Sequence, residues 1–153
     1  MPAESRLKEL GIEIPEPVAP IASYVGAVRS GNLLWISGQV TKKGDSFLHN
    51  GKLGANVTIE QGQEAARQSA LNALAQVRKS LGSLDKVKRV VKVVGFVASA
   101  PGFTDQPKVV NGASDLLAQV FGENGRHARS AVGVAELPLG VCVEIEMVVE
   151  VKQ

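Results

Sequence analysis

Two charged residues near the end of the chain, Arg129 and Glu144, are of the types that can bind a small anion and position a water molecule. The guanidinium of Arg129 is a planar fork of N–H donors that can hold a carboxylate through two parallel hydrogen bonds. The carboxylate of Glu144 can hold a water molecule and accept its proton. Taken singly, each residue is more simply a surface charge, and an arginine paired with a nearby glutamate is the competing interpretation.

The stretch from residue 129 to residue 150 predicts the two β-strands that carry this pair. Apolar residues occupy every second position of the later strand, which is the pattern of a strand with one buried face. The short link at residues 137–140 predicts an antiparallel hairpin with Gly133 opposite Glu144. In that register Arg129 and Glu144 lie on the same solvent-facing side of the sheet, roughly 13 Å apart along the strands. The buried positions are then Val141, Val143, Ile145, Met147 and Val149.

The rest of the chain supplies strands and helices around that hairpin. Thr58 and Gln61 have the spacing of a helix capping box, and Gly82 is a typical helix stop. Pro107 suits the first turn of a second helix, where its missing N–H costs nothing. The predicted elements are strands at 23–29 and 33–39, a helix at 58–81, a strand at 87–99, a helix at 107–121 and the two C-terminal strands. The order β-β-α-β-α-β-β predicts a two-layer α+β fold, a mixed sheet with both helices on one face.

Length and composition indicate one globular domain over residues 1–153, with residues 1–19 as an N-terminal extension. Hydrophobic residues make up 44% of the chain and charged residues 21%, as in ordinary globular proteins. A formal net charge of +2 without a basic run argues against nucleic acid as a partner. No apolar run reaches the ~20 residues of a membrane-spanning helix, so no membrane association is expected. The single cysteine, Cys142, fits a reducing compartment, and the expected location is the cytoplasm.

Other common chemistries lack their residue patterns. The histidines His49 and His127 are far apart in sequence and have no Cys, Asp or Glu at metal-ligand spacing, so no metal site is predicted. No phosphate-binding loop, dinucleotide-binding fingerprint or Gly-x-Ser-x-Gly motif occurs, so no cofactor is predicted.

A series of ordered motifs runs along most of the chain. The C-terminal motifs are Ala128-Arg129-Ser130-Ala131-Val132, Val134-Ala135, Leu137-Pro138 and Val143-Glu144-Ile145-Glu146. The upstream motifs are Tyr24, Gly31-Asn32, Ser37-Gly38-Gln39, Ala66-Arg67-Gln68, Asn72 and Asn111. Together, over residues 20–151, they resemble the Rid family of enamine and imine deaminases, long called the YjgF family and often described as endoribonuclease L-PSP.

This resemblance implies a chorismate-mutase-like α+β fold, assembled as a homotrimer with clefts between subunits. It implies hydrolysis of reactive 2-imino and 2-enamino acids, such as 2-aminoacrylate, to 2-keto acids and ammonia without a metal or cofactor. Arg129 would bind the substrate carboxylate, and Glu144 would hold the attacking water. Tyr24 would line the cleft from a neighbouring subunit, and backbone groups near Gly38 and Ala131 would orient the imine. The remaining predicted substrate-binding residues are Ser37 and Asn111.

The sequence departs from the better-characterised branch of this family around the predicted carboxylate site. Ala131 stands where that branch has cysteine, and Gly133 stands where it has glutamate. A longer run before Arg129 brings Arg126 and His127 toward the site. The leading hypothesis is a trimeric deaminase of a small carboxylate-bearing substrate. The alternatives are a non-catalytic binding module that senses a carboxylate metabolite or a partner at the same cleft, and the ribonuclease of the older family name.

Overall fold

The computed structural model describes residues 1–153, and its main elements follow the predicted order. The helices are α1 (Ala3–Leu10), α2 (Ile59–Leu81) and α3 (Gln106–Phe121). The strands are β1 (Ala27–Ser30), β2 (Leu33–Gln39), β3 (Lys42–Lys43), β4 (Ser46–Phe47), β5 (Val87–Ala98), β6 (Ala128–Val134) and β7 (Val143–Val151). Strands β3 and β4 form a small separate hairpin, and the other five strands form one sheet.

The five-stranded sheet has the order β1-β2-β7-β5-β6. Strands β5 and β6 pair in parallel and are connected through α3, whereas all other neighbours are antiparallel. The predicted hairpin between the last two strands is therefore wrong, because β7 lies between β2 and β5. Phe96 on β5 is aligned with Glu144 on one side and with Val132 on the other. The alternation along β7 indicates which face is buried, but it does not identify the neighbouring strands.

Both long helices cover one face of the sheet, as the sequence predicts. The Thr58 hydroxyl accepts from the N–H of Gln61, and the Gln61 side chain accepts from the N–H of Thr58, so the predicted capping box is present. Helix α2 packs over β2 and β7, and α3 packs over β5 and β6. Gly112 of α3 lies so near α2 that a Cβ there would come within 2.0 Å of the Gln63 carbonyl oxygen. The hydrophobic core lies between this helix layer and the sheet.

The opposite face of the sheet, called the open face below, carries exposed apolar side chains. Val28 is 54% exposed, Trp35 is 52% exposed and Val132 is 43% exposed. The register aligns Val28, Trp35 and Val148 across β1, β2 and β7. A contiguous apolar surface of this kind typically marks a protein–protein interface. None of the helices combines the length and the apolar character needed to cross a membrane.

The N-terminal helix α1 is fastened to the turn between α2 and β5. The Glu4 carboxylate accepts from the Arg78 guanidinium and from the backbone N–H of Leu84. Burial alone would raise the pKa of Glu4, but the hydrogen bonds from Arg78 and Leu84 outweigh it and lower that pKa. Ala3 and Leu7 are part of the main core, so this helix packs as an integral part of the fold.

Candidate functional site

Glu144 lies on the open face of β7, against the backbone of β2. Its carboxylate is so close to Gly38 that a Cβ at position 38 would be 2.0 Å from Glu144 Oε2. Burial raises the pKa of Glu144, and repulsion from Glu146, two residues along the same face, raises it further. A half-buried carboxyl group of this kind can exchange a proton closer to neutral pH than an exposed glutamate can.

A cavity of about 480 Å³ opens in front of this carboxylate. Three of the predicted substrate-binding residues, Tyr24, Ser37 and Gly38, line it together with Glu144. Tyr24 is 51% exposed at the cavity wall. The Ser37 hydroxyl donates a hydrogen bond of 2.6 Å to the carbonyl oxygen of Val25, which fixes the segment next to Tyr24. The other cavity residues are Val18, Ala19, Pro20, Ile21, Gly26, Gln39, Val40, Lys42, Phe47, Gln76, Pro138 and Leu139. The cavity is thus mostly apolar, with a carboxyl group in its wall.

Arg129 lies on edge strand β6 and points to the helix side of the sheet. Its Nη1 donates to Asn111 Oδ1 at 2.8 Å and to Ser114 Oγ at 3.2 Å, and its Nη2 donates to the Pro107 carbonyl at 3.2 Å. All three acceptors belong to α3, so the helix and the strand together position the guanidinium. The structure therefore places Asn111 beside Arg129.

The guanidinium of Arg129 retains hydrogen-bonding capacity. It has five N–H donors, and the three hydrogen bonds to α3 use both hydrogens of Nη1 and one of Nη2. The Nε–H and the second Nη2 hydrogen have no acceptor in the chain. These two hydrogens remain available for a carboxylate, which an arginine can bind through two hydrogen bonds.

Arg129 and Glu144 lie on opposite faces of the sheet, which corrects the prediction that they share one face. Arg129 is aligned with Val93, a fully buried core residue, whereas Glu144 is aligned with Phe96 on the open face. Strand β5 separates their strands, and their Cα atoms are roughly 14 Å apart by ordinary strand spacings. The error follows from the wrong hairpin register, since a different alignment moves a side chain to the other face. Within one chain the two residues cannot contact the same small ligand.

His127 and Ser114 extend the Arg129 cluster. His127 Nε2 is 2.9 Å from Ser114 Oγ, and its Nδ1 is 2.7 Å from the carbonyl oxygen of Gly125. Arg126, by contrast, is exposed and makes an ion pair of 3.7 Å with Glu123. Of the two additional candidates before Arg129, the structure brings His127 into the cluster and leaves Arg126 at its margin.

Three other predicted features have clear places in the structure. Ala131 of β6 lies beside Gly95 of β5 and packs against the core on the helix side, two residues from Arg129. His49 pairs with Glu64 at 3.1 Å, far in sequence from His127. Cys142 is fully buried, and burial raises the pKa of its thiol to about 11, so it packs in the core as predicted. No group of three His, Cys, Asp or Glu side chains is placed to hold a metal ion.

Comparison with known proteins identifies the family. A model of the family described as "YjgF/chorismate mutase-like, putative endoribonuclease" matches residues 4–151. The chain belongs to this family. Protein TCP17 of Trypanosoma cruzi is 51% identical over 147 residues, which are 95% of this chain and 92% of that protein. The 2-iminobutanoate/2-iminopropanoate deaminase of Dermatophagoides farinae is 33% identical over 146 residues, 92% of this chain and 95% of that protein.

Solved structures of the YjgF family share the fold. The crystal structure of Atu1372 from Agrobacterium tumefaciens, a protein of unknown function, matches with a TM-score of 0.91 at 48% identity, over 98% of this chain and 92% of that one. The predicted family and the chorismate-mutase-like α+β fold are thereby confirmed. The family contains proteins named for imine deamination and for RNA cleavage.

Ser114 is the site residue that the sequence interpretation missed. Asn111 and Ser114 are three apart on a helix, and His127 and Arg129 are two apart around a strand start. These spacings put each pair on one side of its element. Only the parallel pairing of β5 with β6, connected through α3, brings the two pairs together, and that pairing was not predicted.

Proposed function

We propose that this chain hydrolyses reactive 2-imino and 2-enamino acids to 2-keto acids and ammonia, at a site that a second copy of the chain completes. The observation that carries the proposal is a guanidinium at Arg129 whose Nε–H and one Nη2 hydrogen are unused. The half-buried Glu144 in a mostly apolar cavity supplies the matching acid–base group. The name of the Dermatophagoides farinae relative supports the choice of substrate class.

The proposed reaction needs little beyond positioning and one proton-transfer group. An enamino acid becomes an imino acid when its C3 gains a proton, and the resulting C2 is electrophilic. Glu144 takes a proton from a water molecule as the water oxygen bonds to C2. In the collapse, Glu144 returns its proton to the nitrogen, the hydroxyl oxygen forms the C2=O bond and loses its proton to water, and the C2–N bond breaks to leave ammonia and a 2-keto acid. Arg129 binds the carboxylate throughout and fixes C2 relative to the water.

A second copy is required because the two halves of the site face away from each other. One half consists of Arg129 with Asn111 on the helix side, and the other is the cavity at Glu144 on the open face. The exposed Val28 and Trp35 supply the apolar surface for such an association. The family resemblance favours a closed ring of three chains, in which each cleft combines Arg129 from one chain with Glu144 from its neighbour.

The decisive measurement is ammonia release from freshly generated 2-aminoacrylate and 2-iminobutanoate. We expect Arg129→Ala and Glu144→Gln each to lower kcat/KM by about 100-fold, because each removes an essential positioning or proton-transfer group (about 2.7 kcal/mol). Lys79→Ala is the control, since it removes a positive charge from an exposed side chain in the last turn of α2 and should leave the rate unchanged.

Two outcomes would replace the proposal. Equal rates for wild type and Arg129→Ala would exclude the proposed carboxylate site. Saturable binding of 2-ketobutyrate without turnover of any imine would instead support a non-catalytic module that senses a carboxylate metabolite. The RNA-cleaving activity in the family description predicts salt-dependent RNA binding, which a titration at two salt concentrations measures.

A further inference from the structure

Two side chains, Ser114 and His127, connect the Arg129 guanidinium to the backbone before β6 through an unbroken series of hydrogen bonds. Arg129 Nη1 is 3.2 Å from Ser114 Oγ, and Ser114 Oγ is 2.9 Å from His127 Nε2. His127 Nδ1 is 2.7 Å from the Gly125 carbonyl oxygen. Gly125 is itself buried against α3, where a Cβ would be 2.1 Å from the Leu117 carbonyl oxygen. The series therefore ends on a fixed piece of backbone.

The chemistry of the groups assigns every proton in this series. A carbonyl oxygen only accepts, so His127 Nδ1 carries the hydrogen that it donates to Gly125. In the neutral ring, Nε2 is then an acceptor, and the Ser114 hydroxyl donates to it. The Ser114 oxygen in turn accepts from Arg129 Nη1. Each group thus has one defined role. Because His127 Nε2 carries no hydrogen, the Ser114 oxygen is free to accept the hydrogen bond from Arg129 Nη1.

The surroundings keep the His127 ring neutral. Burial lowers the pKa of His127, and the nearby charge of Arg129 lowers it further, against the opposing effect of the hydrogen bond to Gly125. The other charged side chains on this concave surface are Asp115 of α3 and Arg126 before β6. Arg89 of β5 reaches the Arg126 carbonyl oxygen at 3.1 Å and does not contact the ring.

We propose that Ser114 and His127 are positioning residues that hold Arg129 with its Nε–H and one Nη2 hydrogen free for the carboxylate of a 2-imino or 2-keto acid. The inference rests on the proposed function for the identity of the ligand. An arginine on an edge strand has many rotamers, and fixing one of them in advance reduces the entropy lost on binding. Helix α3 accepts hydrogen bonds from Nη1 and from one side of Nη2, which leaves the Nε–H and one Nη2 hydrogen for the ligand.

Variants of His127 separate this role from simple packing. A glutamine at 127 retains an acceptor near the position of Nε2, whereas an asparagine retains a donor for Gly125 but is too short to reach Ser114. We expect His127→Asn and Ser114→Ala each to raise KM and the Kd for 2-ketobutyrate by about 5- to 10-fold, with kcat within about twofold of wild type. His127→Gln should restore most of the affinity, and the double variant S114A/H127N should be no weaker than Ser114→Ala alone.

The state of the His127 ring gives a test that needs no turnover. Nitrogen-15 NMR of the intact protein, with His49→Gln to leave one histidine, should show the Nδ1–H tautomer and a pKa that rises in Arg129→Gln. If ketobutyrate binds and the ring behaves in this way while no imine is hydrolysed, the proposed function fails and the positioning role stands. An Nε2–H tautomer, or unchanged Kd and KM in Ser114→Ala, would overturn the positioning role even if the enzyme is active.

Discussion

At the scale of single residues, the environment of Glu144 sets the pH range of the proposed reaction. Burial is the first cause of its raised pKa, and the adjacent Glu146 is the second. A base must be ionised to act, so activity should rise with pH through the pKa of Glu144. Its raised value moves that ascending limb above the pH expected for an ordinary glutamate.

Removing the charge of Glu146 should move the ascending limb of the pH–activity profile toward the pH of an ordinary glutamate. We expect Glu146→Gln to lower the pKa of Glu144 and to shift the ascending limb of the kcat/KM profile toward lower pH. Glu150→Gln is the matched control, because Glu150 is on the same strand face but pairs with Lys88 at 3.6 Å. A profile that stays in place for Glu146→Gln, or moves equally for both variants, contradicts the assignment of Glu144 as the titrating base.

The sequence predicts the types of the candidate-site residues, but it does not predict the face of the sheet on which each side chain lies. Arg129 and Glu144 are of types suited to carboxylate binding and proton transfer, and the structure gives each a suitable environment. Their predicted common face was wrong, because facing depends on which strands are neighbours. Ser114 had no signal of its own, since a serine on a helix is common and its role arises only through His127 and Arg129.

At the scale of secondary-structure elements, local sequence signals predict where the helices begin and end, but they do not predict which strands are neighbours. Helix α2 begins and ends where Thr58 and Gly82 indicate, because caps depend on residues a few positions apart. The position of β7 between β2 and β5 depends on contacts between residues about 45 to 120 positions apart along the chain. Its period of two fits a hairpin and a central strand equally well, so sequence alone left its neighbours undetermined.

The attachment of α1 predicts a pH-dependent contribution to stability. The folded-state pKa of Glu4 is lowered, so its stabilising effect is present above the unfolded pKa near 4.5 and is lost as pH falls through the folded value. We expect Glu4→Gln to lower the free energy of unfolding at pH 7 by about 1 kcal/mol after allowance for partial exposure, with a lower thermal midpoint, and to have less effect in acid.

The control for that measurement is on the same helix. Glu9→Gln breaks an exposed ion pair with Arg6 at 3.4 Å and should change the midpoint little. Because subunit association affects thermal midpoints, the variants must be compared at one protein concentration. An equal loss for Glu4→Gln at pH 7 and at pH 3 would show that the charge of Glu4 is not what fastens α1.

At the scale of the whole molecule, a site shared between chains predicts complementation. Arg129→Ala and Glu144→Gln are each expected to be inactive alone. Co-expressed in equal amounts in a ring, they should regain about a quarter of the wild-type sites, since each cleft needs one intact half from each neighbour. Ammonia release by the purified mixture measures this gain. No gain in a mixed assembly would mean that the two residues do not share a cleft across chains.

The same experiment has a control on the open face. Trp35→Glu places a charge in the exposed apolar surface and should prevent association, so adding it to both variants should abolish the restored activity. Light scattering should then give the mass of a single chain. Restored activity from chains that stay monomeric would contradict the assembly proposed here.

The contact between Glu144 and Gly38 limits how this pocket can be redesigned. Even the methyl group of alanine at position 38 would overlap the carboxylate oxygen, so that strand wall admits no side chain without displacing the proposed base. Changes in substrate size must then come from the opposite walls, at Tyr24, Phe47 and Leu139. A library aimed at new substrates should vary those three positions and keep the glycine constant.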